Sequence, residues 1–393
     1  MRIVDVSVFK VDASWRNWVF LRVDTDSELV GYGECTVEGR EHAVEGAVKD
    51  MARRLIGKDP RRIRDVSDLL TRRGYWDAGP VVSSAVGGIE MALWDILGKS
   101  LELPVHELLG GRVRDSALVY SNAWYFGAQT ADDFGERAAQ TVADGYRALK
   151  FDPFGSAGLT IAAEELAEAV ARIAAVREAV GPEVGLLIEG HGRFALHSAT
   201  RVAHALEPYD PLFFEEPLPA GDFGALRSLA TSVRVPLAAG ERCYSARECA
   251  LAIASGGLAV IQPDVIHVGG IGPLLSVASA ADAAFVSFAP HNASGPIATA
   301  ATLQISAMAP TLLLQEMFAP LDAPWRELVA LPPIEVEDGR VTIPLGPGIG
   351  VELDEAECER HPYVPRELNL LEDESILDRS VLPESTPTLD LLE

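Results

Sequence analysis

Apolar and polar residues alternate from the first turn of the chain. Arg2-Ile3-Val4-Asp5-Val6-Ser7-Val8-Phe9, Trp18-Val19-Phe20-Leu21-Arg22-Val23 and Leu29-Val30-Gly31-Tyr32-Gly33-Glu34 each carry the period-two pattern of a strand. A turn at Asp24-Thr25-Asp26-Ser27 joins the last two, so the opening reads as an antiparallel meander. Helical spacing follows near residues 41–56 and 82–99. In the second stretch Ala85, Ile89, Ala92, Leu93 and Ile96 fall on one face.

From about residue 116 the rhythm changes. Eight short apolar runs recur, each followed by a helical stretch rich in Ala, Glu and Arg. They are Ala117-Leu118-Val119-Tyr120, Ala148-Leu149-Lys150-Phe151, Gly185-Leu186-Leu187-Ile188, Leu212-Phe213-Phe214, Pro236-Leu237-Ala238-Ala239, Val260-Ile261-Gln262, Phe285-Val286-Ser287-Phe288 and Leu312-Leu313-Leu314. Buried strands alternating with helices indicate a parallel sheet. Eight such units match a (β/α)₈ barrel in count and length. The fold class is therefore α/β. Residues 1–115 form an α+β unit, 116–331 the barrel, and 332–393 a C-terminal segment. That segment opens with a hairpin turning at Asp338-Gly339 and ends in an acidic tail from Leu368. The tail is expected to pack on the first domain or on a partner subunit.

Composition narrows the function. Apolar residues make up 48% of the 393 and charged residues 23%, an ordinary globular balance. Asp and Glu number 58 against 33 Lys and Arg, a net charge of −25. Such a surface repels phosphate backbones and anionic lipid, so neither nucleic acid nor membrane is the expected partner. The four cysteines, Cys35, Cys243, Cys249 and Cys358, form no C-x-x-C pair, which argues against a zinc cluster or a disulfide framework. The N-terminus lacks the layout of a signal peptide, and no uninterrupted apolar run reaches the ~18 residues of a membrane span. A soluble, cytoplasmic protein is the expectation.

An ionisable residue ends seven successive runs: Lys150, Glu189, Glu215, Glu241, Asp264, His291 and Glu316. From Glu189 onward the steps are 26, 26, 23, 27 and 25 residues, about one βα unit each. The C-terminal ends of barrel strands share one face, so these side chains converge on one mouth. Glu189, Glu215 and Glu241 there would repel one another unless a cation sat between them. Oxygen ligands without Cys suit Mg²⁺; the alternative is three acids, each solvated or paired with Arg. Glu216 should point away. Asp264 beside His291 would fix the imidazole tautomer and make a general base, unless that His merely bonds backbone at the rim. His191, two residues after Glu189, shares its side and is a ligand, a substrate anchor or a general acid. Lys150, placed across the mouth from His291, adds positive charge. Three Glu and one Mg²⁺ leave a −1 site, so a carboxylate substrate losing an α-proton needs Lys150 and protonated His191 as compensation.

These residues resemble the enolase superfamily, in its mandelate racemase/muconate lactonizing branch. The likeness runs through Gly31-Tyr32-Gly33-Glu34, the segment from Ala85 to Lys99, Phe214-Glu215-Glu216-Pro217, Ala239-Gly240-Glu241, and Gln262-Pro263-Asp264 followed by Gly269-Gly270. Within the branch the chain is most similar to galactonate dehydratase-like acid-sugar dehydratases, through Glu189-Gly190-His191-Gly192-Arg193 and Ala289-Pro290-His291-Asn292 with Gly295-Pro296-Ile297-Ala298. The resemblance implies a capping domain, completed by the C-terminal segment, over a modified TIM barrel. It implies that Glu189, Glu215 and Glu241 bind Mg²⁺ and that His291, backed by Asp264, takes the proton α to the carboxylate. His191 would protonate the departing 3-hydroxyl, and Glu316 would lie near the substrate carboxylate. The product would be a 2-keto-3-deoxy acid made from an aldonate or aldarate, in a symmetric homo-oligomer.

Two positions depart from the family pattern. Asp152 stands in Lys150-Phe151-Asp152 where racemases carry a second Lys, which disfavours two-base racemisation. Asp152 is instead grouped with the substrate-binding residues. Glu189 stands where Asp is usual. Specificity in such proteins comes from the cap, where Trp15-Arg16-Asn17 in the loop between the first strands and Tyr75-Trp76-Asp77 in another could meet a polyol; Arg16 is the chosen candidate. A racemase or epimerase, and a non-catalytic relative, remain the alternatives.

Overall fold

The computed structural model describes residues 1–76, 79–318 and 323–366. The meander is present as β1 (Ile3–Ala13), β2 (Arg16–Thr25) and β3 (Val30–Glu34), antiparallel in that order. The first two strands are longer than the pattern predicts. Ala13 pairs with Arg16 across a two-residue turn at Ser14 and Trp15, so Arg16 and Asn17 belong to a strand and not to a loop. On β2, Val19, Leu21 and Val23 face the helices α1 (Glu41–Leu55), α2 (Ile63–Leu70) and α3 (Pro80–Leu101). Trp18 and Phe20 face the barrel on the other side, and both are fully buried. A strand buried on both faces reads as a nearly continuous apolar run. At eight residues, α2 is too short for its periodicity to register in the sequence.

Past the single-turn α4 (Val105–Leu108), the barrel strands are β4 (Ser116–Asn122), β5 (Ala148–Phe151), β6 (Gly185–Glu189), β7 (Phe213–Glu215), β8 (Leu237–Ala239), β9 (Val260–Ile261), β10 (Ser287–Phe288) and β11 (Gln315–Phe318). The intervening helices are α5 (Ala131–Ala143), α6 (Ala163–Val180), α7 (Leu196–Leu206), α8 (Phe223–Ala230), α9 (Ala246–Ala254), α10 (Ile271–Ala284) and α11 (Pro296–Ser306). The strands pair in parallel from β4 to β10, and β11 returns to β4. A bridge from Phe288 to Leu312 closes the ring. The eighth strand is thus three residues later than the apolar run Leu312-Leu313-Leu314 suggested. Leu314 is apolar because it plugs the interior, just before the strand proper begins.

The residues after 331 serve both domains. β12 (Ala330–Leu331) pairs with β15 (Glu352–Leu353), while β13 (Val336–Glu337) and β14 (Arg340–Thr342) form the expected hairpin. That hairpin joins the barrel, since β14 pairs with β4 from Ser116 to Leu118. After α12 (Glu355–Arg360) the chain runs along the meander: Pro362 bridges Val11, and Asn17 Nδ2 donates to the Val364 carbonyl at 2.8 Å. The acidic tail from Leu368, like Asp77, lies outside the described residues.

The cap is docked by its own buried acids. Glu34 accepts from the backbone N–H of Gly295 (2.6 Å) and Ala298 (2.9 Å) at the start of α11. Glu90 accepts from Ile271 (2.7 Å) and Gly272 (2.9 Å) at the start of α10. Helix N-termini present unsatisfied N–H groups and a partial positive charge, so each acid satisfies a barrel helix from the neighbouring domain. Asp95 joins β3 to the C-terminal segment, accepting from Tyr32 N and Ile349 N at 3.0 Å each. α3, at 22 residues, is apolar and long enough to cross a bilayer, although Glu90, Asp95 and Lys99 interrupt it in the sequence. Here it is a core helix, with 78% of its most apolar window buried in the fold.

Candidate active site

Barrel side chains alternate between inside and outside, and this alternation builds the site. One residue from each strand or directly flanking it fills an inner layer: Tyr120, Ala148, Leu187, Phe213, Ala238, Val260, Ala289 and Leu314. Two positions further along, towards the C-terminal mouth, stand Asn122, Lys150, Glu189, Glu215, Gly240, Gln262, His291 and Glu316. A period of two returns each of them to the same side of the sheet. At Gly240 the chain takes φ 146°, and a Cβ would lie 2.8 Å from Gln262 N. Only glycine fits there, and the turn it permits presents Glu241 in place of residue 240.

Glu189 and Glu215 are neighbours across β6 and β7. With Glu241 they offer carboxylate oxygens that all lie within 4.8 Å of one another, a group that could hold a metal ion. Glu215 is fully buried, and its Oε2 has no hydrogen-bond partner. Glu189 Oε2 also lacks one, with Lys150 Nζ 3.4 Å away. A buried anionic oxygen without a donor is costly, and a cation at this point relieves that cost. Burial and the charge of Glu189 push the Glu215 carboxyl well above its usual range. Glu216 is buried as well, its carboxylate held by Arg242.

Lys150 lies at the centre of the site, not across the mouth. Its Nζ sits 2.9 Å from Glu215 Oε1 and 2.9 Å from Glu316 Oε1. Burial would lower the pKa of this ammonium, but Glu215 and Glu316 hold it well above the ordinary value. Glu316, within β11, is fully buried beneath the cavity. It accepts from Asn122 Nδ2 (2.8 Å) and Asn292 N (2.7 Å), so its carboxylate braces the site's own groups instead of facing the opening.

Two imidazoles are each paired with an aspartate. His291 Nδ1 is 2.8 Å from Asp264 Oδ2, which leaves Nε2 facing Glu241 at 3.4 Å. Burial would depress the His291 pKa, but Glu241, Glu316 and Asp264 raise it well above the usual imidazole value. His191 Nδ1 is 2.6 Å from Asp152 Oδ2. Its own N–H donates to Glu189 Oε1 at 2.6 Å, from a left-handed backbone with φ 47°. Asp152 therefore holds His191 and Arg193, and does not face the opening.

Both histidines line a cavity of about 510 Å³ between cap and barrel. Lys150, Glu241 and Asn122 form its floor. Trp15, Tyr125, Phe126 and Phe318 form an aromatic wall, and Val37, Glu38 and Pro80 close it from the cap. Arg16 is not among these residues. It is buried in β2 with its guanidinium stacked 4.3 Å from the Trp15 ring and 5.0 Å from that of Phe318. Trp15 is the cavity residue, and Arg16 backs it. Tyr75 and Trp76 are exposed and meet edge to face instead of lining the cavity.

The chain matches two family descriptions that together span most of its length. Residues 6–110 match the mandelate racemase/muconate lactonizing enzyme N-terminal domain, and residues 133–357 match the enolase C-terminal domain-like family. The chain belongs to the enolase superfamily, in its mandelate racemase/muconate lactonizing branch. A D-galactonate dehydratase from Ralstonia nicotianae is 41% identical over 345 residues, 86% of this chain and 89% of that protein. A D-gluconate dehydratase from Thermoproteus tenax is 39% identical over 361 residues, 91% of this chain and 73% of that one. Among solved structures, a mandelate racemase/muconate lactonizing enzyme from Jannaschia sp. CCS1 superposes with a TM-score of 0.88 at 33% identity, covering 94% of this chain and all of the other (100%).

For this enolase-superfamily chain, sequence reasoning passed over several site residues. Asn122 carries a signal that could have found it, lying two positions after the inward Tyr120. Arg193 was quoted in a motif but given no task. Tyr244 and His267, which also line the cavity, sit in loops where periodicity says nothing.

Proposed function

We propose that this chain is a Mg²⁺-dependent dehydratase of sugar acids, with Glu189, Glu215 and Glu241 holding the ion. The observation that carries the reading is the pair of aspartate-bound imidazoles, His191 and His291, lining one cavity with Glu241. When bound, Mg²⁺ would polarise the substrate carboxylate and stabilise the charge left as the α-proton departs. His291 Nε2 takes the proton from C2. That electron pair becomes the C2–C3 double bond as the C3–O bond breaks. His191 gives its proton to the leaving oxygen, releasing water. The enol then takes a proton at C3 to give the 2-keto-3-deoxy acid. Lys150 holds positive charge beneath the acids throughout.

The relatives named for D-galactonate and D-gluconate support a monocarboxylate substrate. Glu38 on the cap side of the cavity acts in the same direction, because it would repel a second terminal carboxylate. Aldonates are therefore expected to be turned over in preference to aldarates. The test is keto-acid formation from D-galactonate or D-gluconate with Mg²⁺. His291→Asn should lower the rate by roughly 100- to 10,000-fold, the span of a general base, with circular dichroism unchanged. Full turnover by H291N would remove the base assignment. Deuterium entering C2 from D₂O without loss of water would turn the reading to an epimerase.

A further inference from the structure

We propose that Asp152 and Arg193 are positioning residues for His191, forming a second oriented imidazole–carboxylate pair in addition to Asp264 and His291. The inference rests on the dehydratase reading, in which His191 protonates the leaving oxygen.

Both oxygens of Asp152 are engaged. Oδ1 accepts from Phe154 N at 2.9 Å, and Oδ2 meets His191 Nδ1 at 2.6 Å as well as Arg193 Nη2. With Nδ1 bonded to the carboxylate, the His191 ring is held by its inner nitrogen, and Nε2 is the one left to meet a ligand. A ring without that partner could flip or carry its proton on either nitrogen.

Arg193 secures the carboxylate in turn. Its side chain is 2% exposed, and all three of its nitrogens are bonded. Nε donates to Gly190 O at 3.1 Å, Nη1 to Gly155 O at 2.5 Å, and Nη2 to Asp152. One guanidinium thus ties the loop after β5 to the loop after β6, across 38 residues of sequence. A planar, rigid fork suits this three-point task, and a lysine could not reproduce it. The bond to Gly190 O also braces the segment in which His191 adopts its left-handed φ, a conformation unfavourable for a residue other than glycine.

The test uses Asp152→Asn in the full chain. In metal-free protein, proton NMR should show two strongly downfield imidazole N–H signals, one from each pair. The D152N and H191N variants should both lose the same one and keep the other. With Mg²⁺ and an aldonate, kcat should fall about 10- to 100-fold, the usual effect of losing an outer-shell partner, with KM little changed. A 3-deoxy-3-fluoro substrate, whose fluoride leaves without a proton, should recover most of that loss. Arg193→Lys should act in the same direction and serves as the second variant should D152N fail to fold. A retained downfield signal, an unchanged kcat, or a rise confined to KM would overturn the proposal. Failure of the wild type to dehydrate any aldonate would sink the dehydratase reading instead, and the NMR result would still decide whether Asp152 orients His191.

Discussion

Glu215 lies wholly inside the barrel, with one oxygen on Lys150 and the other on no donor. Replacing it by Gln leaves size and shape in place but removes a third of the triad's charge. E215Q is expected to fold and to bind Mg²⁺ more weakly by at least the ~10–100-fold typical of outer groups, as titration calorimetry would show. Equal affinity would remove Glu215 from the ligand set. The ionisable residues themselves were legible in the sequence, because each falls at the end of an apolar run. Their partners were not. Asp152 was grouped with substrate-binding residues since it follows Lys150 by two, yet its carboxylate is taken by His191, 39 residues away. Arg16 is the cap residue singled out in the sequence, whereas it is the neighbouring Trp15 that reaches the cavity.

Among the elements, β3 and α3 pack backbone against backbone. A Cβ on Gly33 would lie 1.9 Å from Gly88 O, and one on Gly31 2.1 Å from Ala92 O. Both obstacles are helix backbone, which cannot rotate away. Gly33→Ala is therefore expected to separate the sheet from α3 and cost on the order of 1–3 kcal/mol or more, read as a lower midpoint in thermal or urea unfolding. The Gly31-Tyr32-Gly33-Glu34 motif thus combines two tasks: its glycines admit α3, and its Glu34 reaches α11. Neither task is legible in the motif itself, since both partners lie far along the chain. The eighth strand was misplaced for a related reason. Three leucines mark burial, and periodicity does not distinguish an interior plug from a paired strand.

For the whole molecule, the acids that dock the cap make stability depend on pH. Burial pushes Glu34 and Glu90 up to about 7 and Asp95 to about 6, above ordinary values of 4.5 and 3.8. Between those ordinary values and about 7 the folded chain holds protons that the unfolded chain has lost, so stability falls as pH rises through this window. The thermal midpoint of metal-free protein should drop from pH 5 to pH 8, and a double Glu34→Gln, Glu90→Gln variant should show a flatter dependence. A midpoint that rises over that range would contradict the burial argument. Metal should act in the opposite sense, by relieving the crowded carboxylates. Mg²⁺ at a hundred times its Kd would add about 2.7 kcal/mol, a shift that chelator reverses and that is smaller in E215Q.

The order of the elements, the eightfold repeat and the spacing of the ionisable positions were already determined by the sequence, because burial and strand alternation are local and leave a periodic imprint. Which side chains touch was decided only by the tertiary structure. Barrel closure brings β11 against β4, and the pairing of β5 with β6 sets the loops that follow them side by side. Contacts such as Asp152 with His191 arise from strand pairing, Glu316 with Lys150 from barrel closure and Glu34 with α11 from docking of the cap, and no local pattern along the chain records them.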